Sequence, residues 1–356
     1  LKTTFDARIQ RLQKKFKHSG WDAFLIERPL DLFYFTGIKL SAGKLLVGSK
    51  ECRLFVDGRY LQIAKEKSPF PCILDSSHEF LQCCQAQTIK KVGFDAAYTS
   101  YHRFLQLEKL EGLSFIPDST ICRSIRAVKD REEIEEMKKS ASLLWEGFNF
   151  IRSQLKEGIS EKAVTKAFEV FCLQKGADGL SFEPIIAFGA SGAMPHYHSQ
   201  DVPLKEGDAV LIDIGVVVDS YHSDMTRVVF FGKEDPRLQR LYEIVKRAQR
   251  AALDLCRPGV RCKELDNASR KVMREENVEE LFVHSLGHGI GLETHEFPKI
   301  RFDGEDKDVV LEAGMVFTVE PGLYMPGIGG VRYEDTIVIT SEGYENFYPQ
   351  SSFKTF

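Results

Sequence analysis

The chain has 356 residues, 43% hydrophobic and 28% charged, and a net charge of −4. That length exceeds what one small core usually holds, so two domains are expected. No run approaches the ~18 consecutive apolar residues of a membrane span, and no dense basic stretch offers the positive face that nucleic acid requires.

The N-terminal stretch LKTTFDARIQRLQKKF is charged and amphipathic, without the apolar core of a signal peptide. The numbering opens on Leu1 rather than Met, so a few residues are expected to precede it. Short apolar runs then alternate with helical patterns. AFLI at 23–26, KLLVG at 44–48 and CRLFV at 52–56 predict strands; RIQRLQKKF and GRYLQIAKE predict helices. Such alternation predicts a small α/β domain over residues 1–125. Its three histidines, His18, His78 and His102, do not cluster and read as surface or packing residues. The eight cysteines (Cys52, Cys72, Cys83, Cys84, Cys122, Cys172, Cys256 and Cys262) are scattered without CxxC spacing and read as free thiols in a reducing cytoplasm.

A charged stretch from Arg126 leads into a long helix, whose apolar residues Ile134, Met137, Ala141, Leu144, Phe148, Ile151 and Leu155 recur at alternating spacings of three and four. That is one buried helical face. The second domain is therefore placed at 126–356. It contains a weak internal repeat: segments around Gly158 and Gly259 each read as helix, glycine stop, new helix, followed later by strands that carry acids. A pseudo-twofold pair of α/β halves would produce it.

Two runs predict hairpins. VLIDIGVVVDSYHSDMTRVVFF, residues 210–231, turns near Asp219-Ser220, with Asp213 and Asp224 expected opposite each other and a midpoint between Val218 and Asp219. MVFTVEPGLYMPGIGGVRYEDTIVIT, residues 315–340, sets Glu320 against Glu334 about Gly327, with Arg332 on the same strand face as Glu334. Any one of these acids reads as readily as a surface or salt-bridging residue. Four, paired symmetrically within apolar strands, do not, because buried carboxylates need compensation. Two divalent cations would neutralise them.

Between the hairpins lies HSLGHGIGLETHE, residues 284–296, with three histidines among glycines. Gly287, Gly289 and Gly291 argue against a helical HxxxH zinc pair and for a tight loop or irregular strand passing close to a metal or ligand. Upstream, GASGAMPHYHS adds His196 and His198. Neutral histidines near carboxylates can orient water or shuttle protons. His198 and His222 read as loop residues.

These segments resemble the pita-bread metallopeptidases, which include methionine aminopeptidase, aminopeptidase P, prolidase and the metal-free creatinase. The resemblance rests on PHY at 195–197, DIG at 213–215, YHSDMTR at 221–227, HSLGHGIGLETHE, TVEPGLY at 318–324 and GVRYEDT at 330–336, in matching order and spacing. It implies an α+β protein: a pita-bread catalytic domain, built as a pseudo-twofold repeat of helices and antiparallel β-hairpins, behind a smaller creatinase-like α/β domain. That layout is similar to the aminopeptidase P and prolidase branch. The resemblance further implies metal ligands at Asp213, Asp224, His288, Glu320 and Glu334, with Asp224 and Glu334 bridging both ions. Substrate-contacting histidines are implied at His196 and His295, a supporting His284, and an electrostatic role for Arg332. Glu320 would also move the proton of the attacking water.

Two divalent ions are expected, manganese first, with cobalt, zinc or iron as alternatives; oxygen-rich ligation disfavours copper. A Xaa-Pro aminopeptidase is the leading expectation, a dipeptide-restricted prolidase the alternative, and a non-peptidase binding module the remote third. All five ligand positions are filled, which opposes the third. The expected partners are a proline-containing peptide and a second copy of the chain in a homodimer. Ser191 and Ser220 depart from the family's common Asn and Gly at turns near the site.

Overall fold

The structure, a computed structural model, describes residues 2–349; Leu1 and residues 350–356, at the outer ends of the two expected domains, lie outside the described residues. The chain forms two compact units divided between Arg126 and Ala127. Among the described residues no helix is long and apolar enough to cross a membrane.

The first unit is α/β. Its six-stranded sheet runs in the order Cys72–Leu74, Cys52–Val56, Lys44–Gly48, Ala23–Ile26, Lys91–Asp95, Ser114–Asp118. The three strands read from the sequence lie at the residues expected. Ala23–Ile26 is buried along its length, which is why it is an unbroken apolar run rather than an alternating one. The first helix, Lys2–His18, buries Ile9, Leu12 and Phe16.

The second unit is α+β and repeats itself. The helix Arg131–Gln154 is closed at its start by a capping box between Asp130 and Glu133 and buries Met137, Ala141, Leu144, Phe148 and Ile151. Glu161–Gln174 follows it past Gly158; in the second half, Cys262–Glu275 follows Pro236–Leu253 past Gly259. Both glycines have positive φ, +80° and +93°. Each donates its N–H at 2.9 Å to a leucine carbonyl far along the chain, Gly158 to Leu204 and Gly259 to Leu311. Thus the weak sequence repeat is carried by backbone conformation and hydrogen bonding, neither of which needs identical side chains.

Each half then supplies strands. Ile185–Phe188, Ala209–Ile214 and Met225–Phe230 form one antiparallel sheet. Gly287–Gly289, Val316–Val319 and Asp335–Ile339 form the middle of a five-stranded sheet edged by Glu296–Ile300 and Tyr344–Asn346. Arg227 joins the halves from a fully buried position. Its Nη2 donates to Asp335 Oδ1 at 2.6 Å, and its Nη1 donates to the carbonyls of Thr226 (2.9 Å) and Glu334 (2.5 Å). The other carboxylate oxygen of Asp335 accepts from Gln249 at 3.0 Å. A charge this deep is tolerated because both terminal nitrogens of Arg227 and both carboxylate oxygens of Asp335 are hydrogen-bonded.

Candidate metal centre

The two hairpins present their acids differently. In the second, Val316–Val319 pairs with Asp335–Ile339, and Gly322–Met325 with Gly329–Arg332, in one continuous register centred on Gly327. Glu320 and Glu334 fall in the gap between the two ladders, at register positions that face each other. Gly327 has φ +75°, as the turn requires.

The first hairpin departs from its expected register. Asp213 pairs with Thr226, not with Asp224. The turn is centred on Asp219 and Ser220, both at positive φ (48° and 73°), between Val218 and Tyr221. Two left-handed residues make a two-residue turn whose twist suits a hairpin, and this moves every pair beyond it. Asp224 remains on the face of Asp213, as its diagonal neighbour.

Ligand-capable atoms of Asp224, His288 and Glu334 lie within 4.8 Å of one another. His288 Nε2 is 3.3 Å from Glu320 Oε1 and 3.7 Å from Asp224 Oδ2. Asp213 packs its Oδ2 on the Arg332 guanidinium. His284 and His288 lie outside any helix, His288 in the short strand Gly287–Gly289. The glycines there serve neighbouring backbone rather than a ligand: a Cβ on Gly287 would sit 1.9 Å from the Thr318 carbonyl oxygen, and one on Gly289 2.3 Å from that of Phe297.

Two observations fit this cluster to cations. Asp213 Oδ1 and Asp224 Oδ1 are buried and make no hydrogen bond. His288 Nδ1–H donates to the Gly289 carbonyl at 3.0 Å, so its Nε2 lone pair is directed at carboxylates. Lone pairs facing lone pairs repel unless a proton or cation lies between them. Burial pushes Glu320 up to about 8, with Asp213 adding to the rise and Arg332 opposing it. Burial, then mutual repulsion among the acids, raises Asp224 and Glu334 well above the usual carboxylate range. Burial pulls His288 down to about 3, so its imidazole is neutral.

Around the acids runs a shell that the sequence reading did not name. Thr226 Oγ1 donates to Glu334 Oε2 at 2.7 Å and accepts from Arg332 Nε at 3.0 Å. Thr318 Oγ1 is 3.1 Å from Glu320 Oε1. Tyr324 OH accepts from Arg332 Nη1 at 2.5 Å and lies 2.9 Å from His284 Nε2; the other ring nitrogen of His284 donates to the Ser285 carbonyl at 2.8 Å. His284 is thereby a neutral imidazole with both nitrogens engaged, and burial pulls it down to about 3. Strand parity carried this signal: Thr226 shares a face with Asp224, and Thr318 and Tyr324 share one with Glu320.

A cleft of about 710 Å³ opens over the cluster, with His196, His284, His288, His295, Glu320 and Arg332 among its walls. His196 and His295 are exposed to it; the His295 ring lies 4.2 Å, centre to centre, from that of His288. His198 also borders it, exposed and paired with Glu183 at 2.8 Å, whereas His222 is held by Thr294 at 3.1 Å. Ser191 lies in the short turn Gly189–Ala193.

Residues 135–341 match the model of metallopeptidase family M24, and residues 8–128 match the creatinase/prolidase N-terminal domain. The chain belongs to metallopeptidase family M24. As a member it is a metal-dependent hydrolase with the pita-bread fold. It is 33% identical over 341 residues to a Xaa-Pro dipeptidase of Pyrococcus furiosus, covering 94% of this chain and 96% of that protein. Among solved structures, a Xaa-Pro dipeptidase from Bacillus anthracis superposes with a TM-score of 0.92 at 33% identity, over 99% of each chain. An X-Pro aminopeptidase from Thermotoga maritima superposes with a TM-score of 0.85 at 32% identity, over 93% of this chain and 97% of that one.

Proposed function

We propose that this M24 enzyme hydrolyses Xaa-Pro dipeptides, using two divalent ions, manganese foremost, held by Asp213, Asp224, His288, Glu320 and Glu334. The observation that carries the reading is the convergence of Asp224, His288 and Glu334 beneath the cleft. The dipeptidase names of near full-length relatives support the substrate. They shift the weight from the longer peptides expected of an aminopeptidase to dipeptides. All five side chains would hold the ions, with Asp224 and Glu334 central and Asp213, His288 and Glu320 completing the set. Bound ions supply Lewis acidity and lower the pKa of water to near neutrality.

The chain's own groups do the rest. A Glu320 carboxylate oxygen accepts the proton of the attacking water and delivers it to the proline nitrogen, which has no proton of its own while acylated. His196 and His295, on the cleft wall, donate to the carbonyl oxygen as negative charge develops there. His284, engaged by Tyr324 and Ser285, supports the wall rather than transferring protons. Arg332 holds a positive charge against Asp213.

Residues 1–125 are proposed as the N-terminal domain and 126–356 as the catalytic domain, in a homodimer. A reducing cytoplasm suits the eight free thiols.

The likeness to the Thermotoga aminopeptidase favours a second reading, cleavage of longer peptides. Metal-stripped protein restored with manganese and offered Ala-Pro and Ala-Pro-Ala separates the two. Cleavage confined to Ala-Pro establishes the dipeptidase; efficient cleavage of Ala-Pro-Ala establishes the aminopeptidase. No cleavage of either, with manganese bound, refutes both.

A further inference from the structure

The loop Ile290–His295 joins the strand that bears His288 to the strand Glu296–Ile300 and ends on His295. An ion pair secures its base. Lys129 Nζ lies 3.2 Å from Glu296 Oε2, with both side chains almost wholly buried, 1% and 2% exposed. The other oxygen of Glu296 accepts from the Leu292 N–H at 3.2 Å, across the loop. Lys129 is itself fixed at its backbone, donating to the Gly314 carbonyl at 2.8 Å, and Val128 bridges to Met315. Gly291 leaves the space: a Cβ there would lie 2.9 Å from both Glu296 Oε2 and Lys129 Cε.

Burying a Lys–Glu pair is at best neutral for stability, so its place calls for another reason. We propose that Lys129 is a positioning residue: it holds the Glu296 carboxylate so that the Leu292–His295 turn closes and aims His295 into the cleft. Lys129 does not itself line the cleft; it acts through Glu296, which does, 167 residues along the chain. The catalytic consequence rests on the role assigned to His295, but the structural consequence does not.

The test pairs hydrogen–deuterium exchange of the metal-free protein with kinetics of the manganese-loaded protein. Lys129→Met leaves a buried carboxylate without its cation, and peptides spanning 290–296 should exchange roughly 100-fold faster, while those of Val316–Val319 and Asp335–Ile339 keep their protection. On the dipeptide, kcat should fall at least ~10-fold with KM little changed, because His295 is assigned to the transition state. The double variant Lys129→Met/Glu296→Gln removes both charges and covers the case in which the single variant fails to fold. It should melt near wild type yet keep the fast loop exchange and the low kcat. Wild-type loop exchange in either variant, or loosening spread evenly over the catalytic unit, would overturn the proposal. So would recovery of kcat along with melting temperature in the double variant. Fast loop exchange with kcat unchanged would instead reject the role of His295 and leave the clamp standing.

Discussion

Replacing Glu320 by glutamine should stabilise the metal-free protein at pH 8, although it removes a proposed ligand. Burial lifts Glu320 from 4.5 to about 8. In the folded, metal-free chain it therefore keeps its proton up to that pH, while the unfolded chain ionises above 4.5. The stability contributed by Glu320 falls as pH rises through this interval and is largely gone by pH 8. That displacement makes the ionised Glu320 a cost on the order of a few kcal/mol. Histidines act the other way. Burial pulls His284 and His288 from 6.5 to about 3, so the unfolded chain gains protons that the folded chain refuses chiefly below about pH 7. From about pH 7 to 8 the acids therefore dominate, and across that window Glu320 accounts for on the order of 1 kcal/mol. Asp224 and Glu334, also raised, steepen the slope.

Calorimetry of metal-stripped wild type should show a melting temperature that falls between about pH 7 and 8. Glu320→Gln should fall less and melt on the order of 10 °C higher at pH 8. With saturating manganese the order reverses, because ions bind the ionised ligands and the variant has lost one. A metal-free variant that melts at or below wild type at pH 8 would refute the reasoning, as would a wild-type melting temperature that climbs across the window.

Three further outcomes follow from the geometry. Asp224→Asn should lower kcat/KM on the dipeptide at least ~100-fold and reduce the bound metal per chain, read by elemental analysis. Arg227→Met should cost ~3–5 kcal/mol in urea unfolding, because Asp335 is left buried without its cation. Ser220→Gly should raise the unfolding free energy by ~0.5–1 kcal/mol, read as a higher urea midpoint at unchanged slope, since Ser220 sits at φ 73° where a Cβ is strained.

Much of the cluster beneath the cleft is legible in the sequence. Acids in apolar strands and histidines among glycines stand out because burial makes each of them costly without a partner. The supporting shell is not. Thr226, Thr318 and Tyr324 are ordinary strand residues, and their value comes only from what lies across the sheet. Lys129 and Glu296 were invisible as a pair, because nothing local links residues so far apart.

Local chemistry was enough for the strands at 23–26, 44–48 and 52–56, for the buried face of Arg131–Gln154, and for a hairpin symmetric about Gly327. Each depends on periodicity, caps or turn residues within a few positions of one another. The first hairpin marks the limit of that information. Asp219-Ser220 announced a turn, but whether one or both residues are left-handed decides whether Asp213 faces Asp224 or Thr226, and that choice is made by packing of the flanking strands. The same holds for the glycines at 287 and 289, whose purpose, close approach to the backbone at Thr318 and Phe297, exists only once distant strands are side by side. Sequence spacing carries what a residue demands of its own segment; contacts between segments arise from folding, where burial and hydrogen bonding are satisfied together.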